Sequence, residues 1–265
     1  MKIAMMQPTF LPWQGFFELI VKSDKFIFLD DFQFSVQSHH TRNKLFISSG
    51  TVGFYSVPIQ KSRCFGFPLN KTLIVEGGTW KKKILKRLAT VYSKTEFFSS
   101  LYPQLEDWFS KNYENLAELN IEGIKFICKM IGITGKNFLY SSQCDRRDYV
   151  HSARSQKVIS LLKWCEATEY LCAFGAYDYM VRDNFSMDNV ITKFQNFIPE
   201  PYFQKQTTEF VPYLSVLDAL FNVGPENTLK LIMNGTKKWL TWEERSIYGQ
   251  QYGIHSSGNI CESCS

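Results

Sequence analysis

Two short apolar runs near the start, Ile3-Ala4-Met5-Met6 and Phe26-Ile27-Phe28-Leu29, limit what this chain can fold into more than any other feature. Neither alternates with polar residues, as a strand with one wet face would, so each reads as a strand buried on both sides. Only one helical stretch separates them, Gly15 to Lys22, with Phe16, Phe17, Leu19 and Ile20 on its apolar side. Strand, crossover helix and strand within roughly thirty residues is the pattern of a parallel pair.

The chain keeps alternating after this unit. "KLFISSG" and "GFYSVPI" predict a hairpin turning at Ser48-Ser49-Gly50, and "FPLNKTLIVEGG" predicts another short strand. From Thr79 the spacing becomes helical: Trp80, Ile84, Leu85, Leu88 and Val91 share one face and lysines the other. Two more helices follow in "FFSSLYPQLEDWFSK" and "NLAELNIEGIKFICKMIG", the second ended by Gly132. "NFLYSS" reads as a strand and "SARSQKVISLLKWCEAT" as a helix with Ser152 as N-cap. "EYLCAFGA" and "NVITKFQNF" read as strands, "IPEPYFQKQ" as extended loop, and two helices ended by Gly224 and Gly235 close the fold. The expectation is one α/β domain over 1–265 with a mainly parallel sheet flanked by helices and a helical middle and C-terminal part. Its sections are a β-loop-α-β core with hairpin (1–75), helices (79–132), further strands and helices (136–200), and C-terminal helices with a tail (213–265).

Composition removes several functional classes. Thirty basic against twenty-five acidic residues, net +5, with no basic tail or stripe, argues against a nucleic-acid partner and allows mild attraction to anionic small molecules. The lysines of "TWKKKILKR" fit the solvated face of a helix. No apolar run is long enough for a membrane span and no signal-peptide pattern opens the chain, so a cytoplasmic location is expected. Seven scattered cysteines then read as free thiols. Cys261 and Cys264, with His255 nearby, lack a second ligand pair, and no metal is assigned. Aromatic residues make up 16% of the chain, enough for a Phe-rich core or for aromatic pocket walls.

Parallel sheets bind ligands beyond the carboxyl ends of their strands, which directs attention to three junctions. The first runs from Gln7 and Thr9 through Trp13 to Gly15, where a glycine at the helix start suits phosphate approach and Trp13 offers a stacking face. The second is Asp30-Asp31 with Gln33, suited to a ribose hydroxyl, an amine or Mg²⁺. It leads into His39, His40, Arg42, Asn43 and Lys44, which combine candidate general bases with phosphate partners. Adjacent histidines on an extended segment point to opposite faces, so at most one enters a given pocket. The third is Phe174 to Asp178, where Tyr177 and Asp178 are candidate substrate contacts. No Walker, G-x-G-x-x-G, H-E-x-x-H or G-x-S-x-G motif occurs.

"MMQPTFLPWQGFFELIVKSDKFIFLDDFQFSVQSHHTRNKL" resembles the opening of the WbqC-like family, with its Q-P-x-[YF]-L-P-W-x-G-[YF]-F, D-D-x-Q-[FY] and R-N elements. "TWKKKILKRLATVYSKTEFF" and "PYFQKQTTEFVPYLSVLDALFNVG" resemble its central helix and its P-Y-x-Q…F-x-P-x-L-S-x-x-D-x-L-F-N-x-G block. Histidines stand where that family would place an aromatic before the arginine, and the last thirty residues carry no resemblance. A weaker likeness, to pantoate–β-alanine ligase, supports a Rossmann-like fold, although Trp13-Gln14-Gly15-Phe16 replaces the H-x-G-H that binds ATP phosphates there.

The family resemblance implies a cytoplasmic step of O-antigen or other surface polysaccharide biosynthesis on a TDP- or UDP-linked sugar. The reaction expected is transfer of an acyl or aminoacyl group to the amino group of that sugar. His39, His40 and Asp30 are its candidate catalytic residues, and the remaining residues of the three junctions bind substrate. The donor would be acyl-CoA or an aminoacyl donor. Two alternatives stand beside it: ATP-dependent ligation with Mg²⁺ through an acyl-adenylate, and a non-catalytic nucleotide-sugar binder. Homo-oligomer formation is left open.

Overall fold

The computed structural model describes residues 1–36, 38–60, 66–75, 77–152 and 155–251. The first strand, β1 (Lys2–Met6), leads into α1 (Gln14–Lys22) and β2 (Lys25–Phe28), and β1 and β2 pair in parallel with Ile3 opposite Lys25. The buried apolar runs therefore form the expected strands. A separate antiparallel hairpin follows, β3 (Arg42–Ser48) and β4 (Thr51–Ser56), turning through Gly50 at φ +69°. Helices α2 (Thr79–Tyr92), α3 (Phe98–Ser110) and α4 (Leu116–Ile131) come next. Trp80, Ile84, Leu88 and Tyr92 form the buried stripe of α2.

The chain then returns to the main sheet as β5 (Asn137–Tyr140). After it come α5 (Arg147–Val150), α6 (Ser155–Trp164), β6 (Glu169–Cys172), α7 (Ala176–Arg182), β7 (Ile191–Phe194), α8 (Val216–Asn234) and α9 (Trp242–Gln251). The main sheet has the order β5-β2-β1-β6-β7, and each neighbouring pair is parallel. This is a mixed α/β architecture of Rossmann-like type, with helices on both sheet faces.

Alternate side chains divide between those faces, as strand geometry requires. Ala4, Phe26 and Phe28 enter one core with Phe16 and Phe17 of α1, Leu119 of α4 and Leu220 of α8. Ile3, Met5, Ile27 and Leu29 enter the other with Leu161 of α6, Met180 of α7 and Tyr149 of α5. Phe-rich stretches thus supply core: Phe26, Phe28 and Phe138 pack at centroid distances of 5.1 to 6.3 Å.

Two local expectations change. "FPLNKTLIVEGG" makes a 3₁₀ turn (Leu69–Lys71) and isolated bridges rather than a strand, because Thr72 turns back to bond Pro68 and Leu69. Ser152 does not cap α6, which begins three residues later, and its hydroxyl donates instead to the Asp148 carbonyl. Gly224, at φ +77° and ψ 173°, leaves the helical region and ends the first of the two C-terminal helices as expected, so that α8 is two helical pieces meeting at a kink, and its missing Cβ makes room for the Phe97 ring. Helices α7 and α9 had no reading in the sequence. Cys128, Cys144, Cys165 and Cys172 are buried free thiols, whereas Cys64, His255, Cys261 and Cys264 lie outside the described residues.

Candidate functional site

Counted along the chain, the sheet strands lie in the order 3-2-1-4-5. From central β1 the chain moves outward through β2 to β5, then crosses back to β6 on β1's other side and outward to β7. The connections leaving β1 and β6 therefore diverge, opening a crevice at their carboxyl ends, where sheets of this order take ligands. Gln7 follows β1, Asp30 and Asp31 follow β2, Ser141 and Ser142 follow β5, and Phe174 to Asp178 follow β6.

The two aspartates form the densest cluster at this edge. Asp30 is buried and accepts from the Ser142 backbone N–H (3.0 Å), the Ser142 hydroxyl (2.6 Å) and the Asn70 amide (3.4 Å). The Ser141 hydroxyl reaches both Asp30, at 3.1 Å, and Asp31. It carries one proton, so it serves one carboxylate at a time. Asp31 also accepts from the Tyr149 hydroxyl, at 2.7 and 2.8 Å, and from Lys157 Nζ at 3.2 Å. Burial, then the bond to Asp31, pushes Tyr149 well above the ordinary tyrosine range, so it stays a donor. Lys157 Nζ sits 4.7 Å from the Tyr149 ring centroid. Asp31 and Lys157 keep about a fifth of their side-chain surface exposed, at 20% and 22%. Gln7 joins the cluster's edge by donating to the Gln33 carbonyl at 3.1 Å.

The segment His39 to Lys44 clamps the loop leaving β1. The Asn43 amide is buried and donates to the Phe10 (3.3 Å) and Leu11 (2.8 Å) carbonyls, holding Leu11 at φ +45°. Phe10 N–H bonds the His39 carbonyl, and Asn120 bridges the Pro8 and His40 carbonyls. Thr9 and His39 are half-buried beside this clamp. His40 is buried, its Nδ1 facing the Ser35 N–H at 3.4 Å, and burial with His39 close by lowers its pKa to about 4. It is therefore neutral at pH 7 but weakly basic. Arg42 and Lys44, two apart on β3, share the opposite face from Asn43 and lie over the Phe54 ring at 4.3 and 5.7 Å.

Trp13 does not open onto the crevice as a stacking face. Its indole packs against Phe197 (5.0 Å) and Tyr213 (5.5 Å) and covers Gly15, where an added Cβ would lie 2.4 Å from the ring. The open approach to Gly15 expected for a phosphate is filled by this indole.

On the β6 side, Tyr177 packs against Phe194 and Trp242 at 5.5 and 5.1 Å. Arg245 of α9 is fully buried, 3.8 Å over the Phe174 ring, and its Nε donates to the Phe174 carbonyl at 3.2 Å. Asp178 stands 4.0 Å from its Nη2.

Two further polar networks are buried. Asp218 accepts from Tyr92, Tyr202 and Gln204 at 2.8, 2.7 and 2.8 Å, and burial raises its pKa. Glu18, also raised by burial, is held by Gln195 and Thr236.

Ser141, Ser142, Tyr149, Lys157 and Arg245 escaped the sequence reading. Only the serine pair had a visible signal there, its place directly after the "NFLY" strand. Among the described residues no group of three or more His, Cys, Asp or Glu gathers for a metal, and no helix is long and apolar enough to cross a membrane.

Comparison with known proteins agrees with the architecture. Residues 7–230 match the model of the WbqC-like protein family, and the chain belongs to that family. It is 29% identical over 233 residues to the uncharacterized protein Rv1507c of Mycobacterium tuberculosis (strain ATCC 25618 / H37Rv), covering 85% of this chain and 95% of that relative. No solved structure matches the chain significantly. Membership suggests a role in a polysaccharide-associated pathway and names no substrate or reaction. Arg245 lies beyond the matched segment.

Proposed function

We propose that this chain is an enzyme of a polysaccharide-associated pathway that transfers an acyl or aminoacyl group to the amino group of a TDP- or UDP-linked amino sugar. The observation that carries this reading is the Asp31 carboxylate, one-fifth exposed at the carboxyl end of β2 beside Lys157 and one strand from the β1 and β6 crevice. An acceptor-only group at that position suits a sugar amine. In the reaction the amine nitrogen attacks the acyl carbonyl, the C–N bond forms, the donor's thiolate or phosphate leaves, and the amine gives up a proton. Asp31 holds and orients the amine, and Lys157 stabilises the developing oxyanion. His40, with a pKa near 4, is a poor base for this step, which moves that role to His39 or to a leaving group that takes the proton itself. Asp30, saturated by donors, positions the β5 end rather than reacting.

Incubation of the full chain with TDP- and UDP-amino sugars and a panel of donors, read by mass spectrometry, tests this. An acyl- or aminoacyl-sugar product is expected. No new mass with any donor, ATP and a free carboxylate included, overturns it. AMP appearing with product would indicate ligation through an adenylate. The indole over Gly15 weighs against that route, since it occupies the helix start where ATP phosphates would sit. A non-catalytic binder is favoured by the saturation of Asp30, and would show ligand-dependent stabilisation without turnover.

A further inference from the structure

Arg245 is among the largest fully buried side chains of the described residues. Its Nε has one acceptor, the Phe174 carbonyl at 3.2 Å, while Nη1 and Nη2 have no hydrogen-bond partner and no exposed surface. Asp178 Oδ1, 4.0 Å from Nη2, is too far to accept, though close enough to offset part of the charge. The Phe174 ring at 3.8 Å and the Tyr177 ring at 4.9 Å cover the guanidinium and satisfy none of its donors. Buried polar groups are nearly always paired, and a buried cation with two empty donor nitrogens is unfavourable unless something arrives to complete it.

Its position says what arrives. Phe174 and Tyr177 lie just beyond β6, next to β1 in the sheet, on the side of the crevice away from Asp31. Sheets of this strand order take their ligands in the crevice beyond the carboxyl ends of these strands. Two adjacent guanidinium nitrogens form a planar fork that fits two oxygens of one phosphoryl group. We propose that Arg245 is an anion-binding residue of this crevice and takes a phosphoryl group of the substrate through Nη1 and Nη2. The inference rests on the function proposed above and specifies its phosphate side. The phosphoryl group belongs either to the diphosphate of the sugar nucleotide or to a phosphate-bearing donor. Both nitrogens are closed from solvent, so binding requires their surroundings to rearrange.

The experiment uses the full chain and the variants Arg245→Met and Arg245→Lys. Inorganic pyrophosphate, UDP, TDP and ATP are titrated separately by calorimetry and thermal shift, with sulfate as a control for nonspecific anions. Wild type should bind pyrophosphate, Arg245→Met should bind at least tenfold more weakly, and Arg245→Lys, which keeps the charge without the fork, should fall between. Unliganded Arg245→Met should unfold no earlier than wild type, since it removes an uncompensated buried charge. If the methionine variant does not fold, a loss of affinity in Arg245→Lys carries the test. A response to UDP or TDP assigns the group to the sugar nucleotide, and a response to ATP alone assigns it to the donor. Wild type binding none of the four, binding sulfate as well as pyrophosphate, or both variants binding like wild type overturns the proposal. Arg245-dependent pyrophosphate binding without any transfer product keeps this inference and removes the reaction. Transfer undiminished in Arg245→Lys keeps the reaction and removes the inference.

Discussion

Replacing Asp30 by asparagine should destabilise the fold by about 3 kcal/mol, and the same change at Asp31 by about 1 kcal/mol or less. Asp30 is buried and faces only donors: a backbone N–H, two serine hydroxyls and an amide. Asparagine keeps one acceptor oxygen and turns an NH₂ toward the rest. Its oxygen stays at the Oδ1 place, where the Ser142 backbone N–H and the Ser141 hydroxyl donate, and its NH₂ takes the Oδ2 place, where the Ser142 hydroxyl can rotate and accept but the Asn70 NH₂ cannot. An amide donor left facing another donor is worth about 1–3 kcal/mol, and loss of charge assistance on the surviving bonds adds about 1 kcal/mol. At Asp31 the hydroxyls of Tyr149 and Ser141 can both reverse, and partial exposure lets water replace what Lys157 loses. Urea unfolding followed by circular dichroism measures both, and about 3 kcal/mol corresponds to a thermal shift of about 6–12 °C in a chain of this size. Asp30→Asn within 1 kcal/mol of wild type would refute the reasoning, as would Asp31→Asn costing more than Asp30→Asn. In the transfer assay the order should reverse once loss of folded protein is corrected for, with Asp31→Asn the more damaging.

The other predictions concern groups around this edge. His40 has a folded-state pKa near 4 against an ordinary 6.5, so the unfolded chain binds the extra proton first and stability falls as pH drops through that window, by up to about 3 kcal/mol. His40→Gln should flatten that stretch of the stability–pH curve relative to wild type, and two parallel curves would show that His40 is not its source. Glu18 and Asp218, whose pKa values are raised, act in the opposite sense above the usual carboxylate range and cancel in that difference. Gly15→Ala should cost about 1–3 kcal/mol because its Cβ meets the Trp13 indole. In a Trp13→Ala background the same change should become neutral or stabilising by up to about 1 kcal/mol, the helix-propensity gain, and denaturation midpoints that show no such sign change would remove the clash as the cause. For Asp218 and Tyr202, joined at 2.7 Å, a double-mutant cycle of Asp218→Ala and Tyr202→Phe should give a coupling of about 1–3 kcal/mol, and additive losses would mean the bond contributes nothing.

The strand pair was legible because burial on both faces leaves an unbroken apolar run that few other structures tolerate. The helical stripe of α2 was legible for the same reason, since Trp80, Ile84 and Leu88 repeat at the spacing of one face. What could not be read was convergence. Asp30, Ser141, Tyr149 and Lys157 span more than a hundred residues, and only the order β5-β2-β1 brings the ends of β2 and β5 together. Trp13 and Gly15 were visible as neighbours, but whether an indole faces a ligand or covers its own glycine depends on Phe197 and Tyr213, far along the chain. Asn43 was grouped with Arg42 and Lys44 by adjacency, and the two-residue period of β3 then sent it to the opposite face, where it holds two carbonyls.

The two sides of the crevice differ in how well their charges are met, and this bears on substrate orientation. On the β2 side every carboxylate oxygen has donors, and the less buried member, Asp31, is held by a lysine and two hydroxyls. On the β6 side a guanidinium has one acceptor for five donors. β2 and β6 flank β1, so two strand spacings, about 10 Å, separate their ends. A sugar nucleotide bearing an amine is charged with opposite signs at its two ends, positive at the amine and negative at the diphosphate. Under the proposed function, that polarity runs in one direction only, amine toward Asp31 and diphosphate toward Arg245, with the Gln7 amide between them at the end of β1.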